Sequence, residues 1–379
     1  MAREQLGICT EANLHGSYLL LNAYEGHESV LRYKLARIPQ LIDRLAAHFS
    51  ESMLTAVVAI GSNYWDLLYP DARPAGLKAF PDLTLDEIGL SPVPIDLLIQ
   101  IRSDRLDVNV IACQQILQVL QGHTELQDQI QGFRYLDGRD LSGFINAPYN
   151  PGGRHKRQVA LVDSTQQPVF AAGSYMYFQQ LCFDQMLWQQ LSLTEQEEVM
   201  GYDKVSAKQL SDTLMLPDSH LASTQQSGST VLLQNMPFYQ PKRQGLIQLS
   251  YAAKAEYLAE ALFRRLGVSE QLTTTDALLS YYHIELSAAF FAPELDVIAF
   301  PAWDCLPYDR ASPALSVSAR RLSALHRLQG KAGGPQLLVT TINADGVVNA
   351  APFSMFNMLG EDPPILMISI NKLQQGHLK

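Results

Sequence analysis

Two stretches of this 379-residue chain put hydrogen-bonding or metal-ligating side chains where the backbone is strongly punctuated. The first, Gly143–Gly153 (GFINAPYNPGG), is a glycine- and proline-set loop that carries Asn146 and Asn150 and no acid. An asparagine amide donates and accepts hydrogen bonds but cannot act as a base. The second, Pro217-Asp218-Ser219-His220-Leu221, sets one imidazole among small polar residues. That ring can be a metal ligand whose other nitrogen needs an acceptor, or a capped surface histidine; residue type alone favours the second. His15, His27, His48, His123, His155, His283, His326 and His377 are scattered and give no metal-ligand spacing. No GxSxG elbow or Ser-His-Asp ordering supports hydrolase chemistry, and no GxxxxGKS loop supports an ATPase.

The elements that would position these side chains come in two sets. In the first, Ser17–Tyr24 and Leu54–Ile60 read as strands, with a helical period across Glu28–Phe49 despite Pro39. A Pro- and Gly-rich excursion over Tyr69–Pro94 precedes a strand at Ile95–Ile101 and an amphipathic helix at Val108–Leu120. That order suits a ferredoxin-like α+β unit. In the second set, Val159–Val162, Gly173–Gln179, Val231–Leu233 and Gly245–Tyr251 read as strands. Phe183–Gln190, Thr194–Gly201 and Ala253–Leu266 read as helices, with Thr194 and Glu197 in the form of a capping box. Glu195, Glu197 and Glu198 suit a helix start and need no catalytic role.

A hydrophobic share of 47% with 17% charged residues is enough for proper cores. A net charge of −10 argues against a nucleic-acid partner, since phosphate neutralisation needs clustered Lys and Arg. Cys9, Cys113, Cys182 and Cys305 lie far apart, as buried thiols in a reducing compartment would. With no apolar leader and no membrane-length apolar run, the expected location is cytoplasmic, with no membrane partner.

The sequence resembles the dye-decolourising (DyP-type) haem peroxidases, closest to their bacterial cytoplasmic class. The matching stretches are Gly132-Phe133-Arg134, Arg139–Phe144, Asn150-Pro151, Ala172–Tyr175, Leu193–Gly201, Asp218-Ser219-His220, Met236-Pro237 and Asp276–Leu295. The resemblance implies an α+β fold of two ferredoxin-like units, of the dimeric α+β barrel type. Residues 1–130 would form the first unit, 131–295 the second with the haem site, and 296–379 a short irregular extension, incomplete as a domain. It further implies haem b as cofactor, held through iron by His220. Hydrogen peroxide and a small or bulky organic reductant would be the substrates, with self-association into a homo-oligomer.

Several positions depart from the family pattern. Where the GxxDG motif sets an aspartate over the open face of the iron, Gly143-Phe144-Ile145-Asn146-Ala147 has Asn146, and Ala147 at the second glycine. Where the family keeps an arginine three residues before Met-Pro, this chain has Leu233. Leu233 and Asn235 would form the distal wall, with Gly143 and Ile145 beside the cofactor. No arginine follows His220 closely, and Gln180 stands where an arginine often follows the Gly-Ser-Tyr strand. Arg154, with Arg157 nearby, remains for propionate contact, and Met236 for open-face packing. Tyr64-Trp65, Trp188 and Trp303 could relay radicals, although core packing is the commoner role. The expectation is a peroxide-dependent one-electron oxidation weakened by these losses. The alternative is a catalytically inactive haem-binding or assembly module on the same fold.

The tail has its own resemblances. Phe290–Arg310, continuing to about residue 343, resembles part of the N-terminal region of the transcription-repair coupling factor. Residues 344–370 resemble the opening strands of a flavin-reductase split barrel, in which Ala351–Ser354 would help hold FMN phosphate. Neither piece is complete, the rest of the barrel is missing, and FMN is not expected. The joins read as those of a chimeric chain.

Overall fold

The computed structural model describes residues 4–294 except 86–87, 91, 225–229 and 270–272, together with positions 319 and 322 and four strands near the C-terminus. The first half runs β1 (His15–Ala23), α1 (Glu28–His48), β2 (Thr55–Gly61), α2 (Trp65–Leu68), a short hairpin β3 (Leu83–Leu85) and β4 (Ile88–Leu90), β5 (Leu97–Ser103), α3 (Leu106–Leu120) and β6 (Thr124–Phe133). The second half runs α4 (His155–Ala160), β7 (Ser174–Phe183), α5 (Gln185–Trp188), α6 (Leu193–Met200), α7 (His220–Thr224), β8 (Leu232–Gln240), β9 (Arg243–Ala252), α8 (Ala255–Arg265) and β10 (Tyr282–Ala292).

Each half is a four-stranded antiparallel sheet of the same order, β6-β1-β5-β2 and β10-β7-β9-β8, the two ferredoxin-like units expected. They join edge to edge into one closed barrel, which leaves no strand edge unpaired. One seam pairs Phe290 with Gly61, and the other pairs Gly132 with Phe238. Gly132 permits the approach at its seam, where a Cβ would lie 2.8 Å from Met236 Cγ. Gly61 instead lets β2 close on the segment before β5, where a Cβ would lie 2.0 Å from the Ile95 carbonyl oxygen. Residues 3–296 form one compact unit, and β6 runs past position 130 to Phe133.

Strand alternation sorts the side chains. In the first half Leu19, Leu21, Val58, Ile60, Ile99 and Ile101 pack outward under α1 and α3. Leu31, Leu35, Ile38, Ile42 and Leu45 of α1 meet them at helical spacing. The intervening Leu20, Val57, Ala59 and Leu98 point into the barrel, against Phe178, Ile247 and Leu249 of the second half.

Some elements differ from the sequence reading. Val159–Val162 is not a strand: its first two residues close helix α4. A short apolar run cannot distinguish a buried strand from a buried helical turn. The capping box at α6 uses Ser192 and Glu195, not Thr194 and Glu197, because Ser192 has the extended backbone of an N-cap (φ −63°, ψ 162°). Strand β6 (TELQDQIQGF) carries almost no apolar signal, since only Ile130 and Gly132 of it are buried. Trp65, Trp188 and Tyr64 are core residues at 2%, 2% and 4% exposure.

Beyond residue 296 a separate unit contains two hairpins, β11 (Leu337–Ile342) with β12 (Val348–Phe353) and β13 (Phe356–Glu361) with β14 (Pro364–Ile368). Trp303 and the stretches Asp296–Arg310 and Lys331–Pro335 lie outside the described residues, as does most of Ala319–Leu328.

Candidate functional site

On the second half the outer sheet face is not filled as it is on the first. Tyr177, Gln179 and Leu181 of β7 and Leu246, Gln248 and Ser250 of β9 floor a cavity of about 380 Å³, within the usual size range of small-molecule pockets. Helix α8 walls it with Leu258, Leu262, Arg264 and Arg265. His220, Asn146, Leu233 and Asn235 all line this one space, although Asn146 and His220 are 74 positions apart in the chain.

His220 is the first residue of α7, and a buried chain of contacts fixes its ring. Nδ1 lies 2.8 Å from Asp276 Oδ2, and Arg265 Nε donates to the same oxygen at 2.9 Å. Asp276 Oδ1 accepts from the Leu278 amide, and Ala277 N–H donates to Asp218 O, tying the two loops together. Arg265 Nη1 reaches Gln248 Oε1 at 3.2 Å, anchoring the array to β9. Burial alone would raise the Asp276 carboxyl, but His220 and Arg265 outweigh it and hold it at about 2. Asp276 is therefore an anion that only accepts, so Nδ1 donates to it and Nε2 is the nitrogen left for another partner. A histidine held this way is a ready metal ligand.

This arrangement carries a pH dependence. Asp276 titrates lower in the folded chain than the ordinary 3.8. Its stabilising contribution, about 2 kcal/mol, is therefore complete above pH 4 and lost as pH falls towards 2. Urea unfolding followed from pH 5 to pH 2 should lose that amount in the native chain, and Asp276→Asn should flatten the slope.

The facing wall is made by the loop after β6 and by β8. Asn235 Nδ2 donates to Asn146 Oδ1 at 3.0 Å. Asn150 clamps β8 from both sides, its Nδ2 donating to Leu233 O at 2.7 Å and its Oδ1 accepting from Leu233 N at 2.9 Å. Asn146 N–H is held by Gly138 O at 3.0 Å. Asn235 Oδ1 is buried without a protein partner among the described residues, so a polar atom of something in the cavity could meet it. Ala147 has φ +46°, the left-handed region in which a glycine is unstrained. Ala147→Gly should accordingly raise stability by roughly 1 kcal/mol, read as a higher urea midpoint at unchanged slope.

Other expected site residues lie elsewhere. Arg154 is exposed at the start of α4 and does not line the cavity. Gly143 and Ile145 support the loop through their carbonyls, which accept from Arg139 Nη1 and the Tyr202 hydroxyl at 2.9 Å each. Gln180 and Met236 are buried away from the cavity lining. Asp276, Arg264, Arg265, Gln248 and Asp140 had drawn no attention in the sequence as site residues. Asp140 is the only acid among the described lining residues. Burial pushes its carboxyl up, against hydrogen bonds from Ser142 and the influence of His220. Asp276 and Asp140 fall within stretches that carry the resemblance, which is the signal that could have flagged them; Arg264, Arg265 and Gln248 had none.

Comparison with known proteins bears on the fold and the family. The sequence model described as Dyp-type peroxidase, N-terminal, matches residues 5–134, and that described as Dyp-type peroxidase, C-terminal, matches residues 137–297. A dye-decolorizing peroxidase of Mycolicibacterium paratuberculosis is 30% identical over 295 residues, covering 75% of this chain and 82% of the relative. A crystal structure of a dyp-type peroxidase protein from Shewanella oneidensis superposes with a TM-score of 0.75 at 34% identity, over 78% of this chain and 97% of that one. Variants of DypB from Rhodococcus jostii RHA1, solved in complex with heme, superpose at a TM-score of 0.71; one is 27% identical over 78% of this chain and 97% of its own.

Proposed function

The chain belongs to the Dyp-type peroxidase family, and from that premise we propose that it binds haem b in the second-half cavity through His220. The observation that carries the reading is the His220–Asp276–Arg265 array, which commits Nδ1 to the carboxylate and leaves Nε2 for the iron. The unpartnered Asn235 Oδ1 fits a polar ligand on the opposite face, and Arg264, with Arg265 beside it, gives the lining positive charge suited to propionates. Bound haem would supply the redox-active iron that peroxide oxidises and an organic reductant returns, one electron at a time.

The protein's own groups do the rest. Asp276 holds the ring tautomer and increases the electron density that His220 can donate. Tyr177, Leu181, Leu246 and Leu262 shield the cavity from water. On the open face Asn146 and Asn235 can orient a peroxide oxygen by hydrogen bonds, but neither can take its proton at neutral pH. Leu233 adds no charge to meet the one that develops as the O–O bond breaks. The activity is accordingly weak, and the same observation favours a second reading, a haem-binding module without turnover. The protein would be cytoplasmic and self-associating; among the described residues no helix is long and apolar enough to cross a membrane.

An absorption spectrum of the purified chain with haemin tests the haem reading, which a missing Soret band would sink. Peroxide-dependent oxidation of a dye by the haem-loaded protein then separates enzyme from carrier.

A further inference from the structure

Arg102 is the next-to-last residue of β5, and strand alternation turns its side chain into the barrel with those of Gln100 and Leu98. It is 4% exposed and its Nε is enclosed, yet the guanidinium makes no hydrogen bond or ion pair with any described residue. Arginine keeps its charge in a protein, and a buried charge left unpaired is strongly unfavourable. We propose that Arg102 anchors an anion site inside the mouth of the barrel, which takes a small planar oxyanion of the carboxylate kind.

The surroundings supply no negative charge of their own. Arg102 acts electrostatically on the hydroxyls of Tyr18 and Tyr251, but burial pushes both up more than Arg102 lowers them, so both stay neutral. Asp104, the nearest acid along the chain, accepts instead from Asn13 Nδ2 at 3.2 Å and from the Leu14 amide at 3.0 Å.

The polar groups of the barrel interior are committed to one another. The Tyr251 hydroxyl donates to Gln100 Oε1 at 2.6 Å, and Gln100 Nε2 donates to Gln234 Oε1 at 2.9 Å. Gln234 Nε2 then donates to the carbonyls of Gly7 and Ile8, at 2.9 and 2.6 Å. This run of bonds closes on the N-terminal segment without including Arg102.

A second unpartnered group stands beside the first. Thr55 of β2 lies directly opposite Arg102, so the two side chains share a face, and Thr55 Oγ1 is also enclosed without a partner. On its other side Arg102 pairs with Gly16 of β1, which has no side chain to compete for the guanidinium. Guanidinium and hydroxyl can both donate, so the ligand they share must accept. The planar fork of arginine matches the two oxygens of a carboxylate, and one arginine balances one charge. The haem cavity is a different space: along β8, Leu233 and Asn235 line that cavity, whereas Gln234 and Met236 point into the barrel.

Formate is the probe, and the full-length protein without haemin is the sample. At pH 7 the native chain should melt about 2–4 °C higher in sodium formate than in sodium chloride of equal ionic strength, since a ligand of the folded state raises the melting temperature. Arg102→Met, of similar volume and uncharged, should abolish that difference while keeping the native circular dichroism. Arg102→Lys, which keeps the charge but loses the fork, should reduce it at least twofold, and decides the matter if the methionine variant does not fold. His220→Ala should keep the full difference, which separates the barrel from the cavity whether or not haem binds there. Formate and chloride acting alike on the native chain would overturn the proposal, as would a folded Arg102 variant that responds like the native one. A response lost in His220→Ala would place the anion in the cavity and equally overturn it.

Discussion

His220→Ala protein mixed with haemin should show no Soret band, whereas the native chain shows one at a single equivalent. The effect is large because the array around Asp276 serves one ring. Arg265, Gln248 and the Leu278 amide all fix the acceptor that fixes His220. No other described histidine lines the cavity. The apoprotein should survive the change, since Asp276 keeps Arg265 as an ion-pair partner at 2.9 Å. Stability therefore separates the outcomes. Ligand binding to the native state raises the melting temperature by mass action, so haemin should stabilise the native chain and leave the alanine variant where it was. A Soret band of undiminished strength in the variant would place the iron ligand elsewhere.

The second large effect is a gain. Asn146→Asp combined with Leu233→Arg should raise peroxide turnover by about 10²–10⁴ over the haem-loaded native chain, the typical value of positioned acid–base catalysis. Both substitutions keep the surrounding geometry. The new carboxylate can still accept from Asn235 Nδ2, as Asn146 Oδ1 does at 3.0 Å, and Asn150 continues to clamp the backbone of position 233. The single Asn146→Asp change should supply part of the gain, visible as a new dependence on the ionised carboxylate towards lower pH. The arginine should add to it only when the acid is present, because residues that act on one transition state are not additive. An unchanged rate in the double variant, with haem bound, would mean that these positions do not face the reacting oxygen.

How far the chain could be read in advance follows from where its signals are local. Leu54–Ile60 and Glu28–Phe49 announced themselves because burial on a regular element repeats with the element's own period. β6 was silent, since Ile130 is its one buried side chain and its place in the barrel is held by backbone pairing with β1. The α6 capping box had two overlapping frames, and only backbone angles could choose Ser192 over Thr194. The site divides in the same way. His220, Asn146, Leu233 and Asn235 sit in recognisable stretches and share one cavity. The residues around His220 come from α8, β9 and the loop before β10, and of them only Asp276 falls in such a stretch.

By itself, then, the order of residues determined the periods of β1, α1, β2, β5 and α3, and put an imidazole at position 220, an amide at 146 and a leucine at 233. Those are matters of residue type and periodicity, which a chain carries before it folds. The tertiary structure alone decided that Asp276 and Arg265 fix the tautomer of His220, that Arg264 rather than Arg154 lines the cavity, and that Arg102 lies opposite Thr55. Each is a contact between segments brought together by barrel closure and helix packing, and a distance of that kind has no period to read.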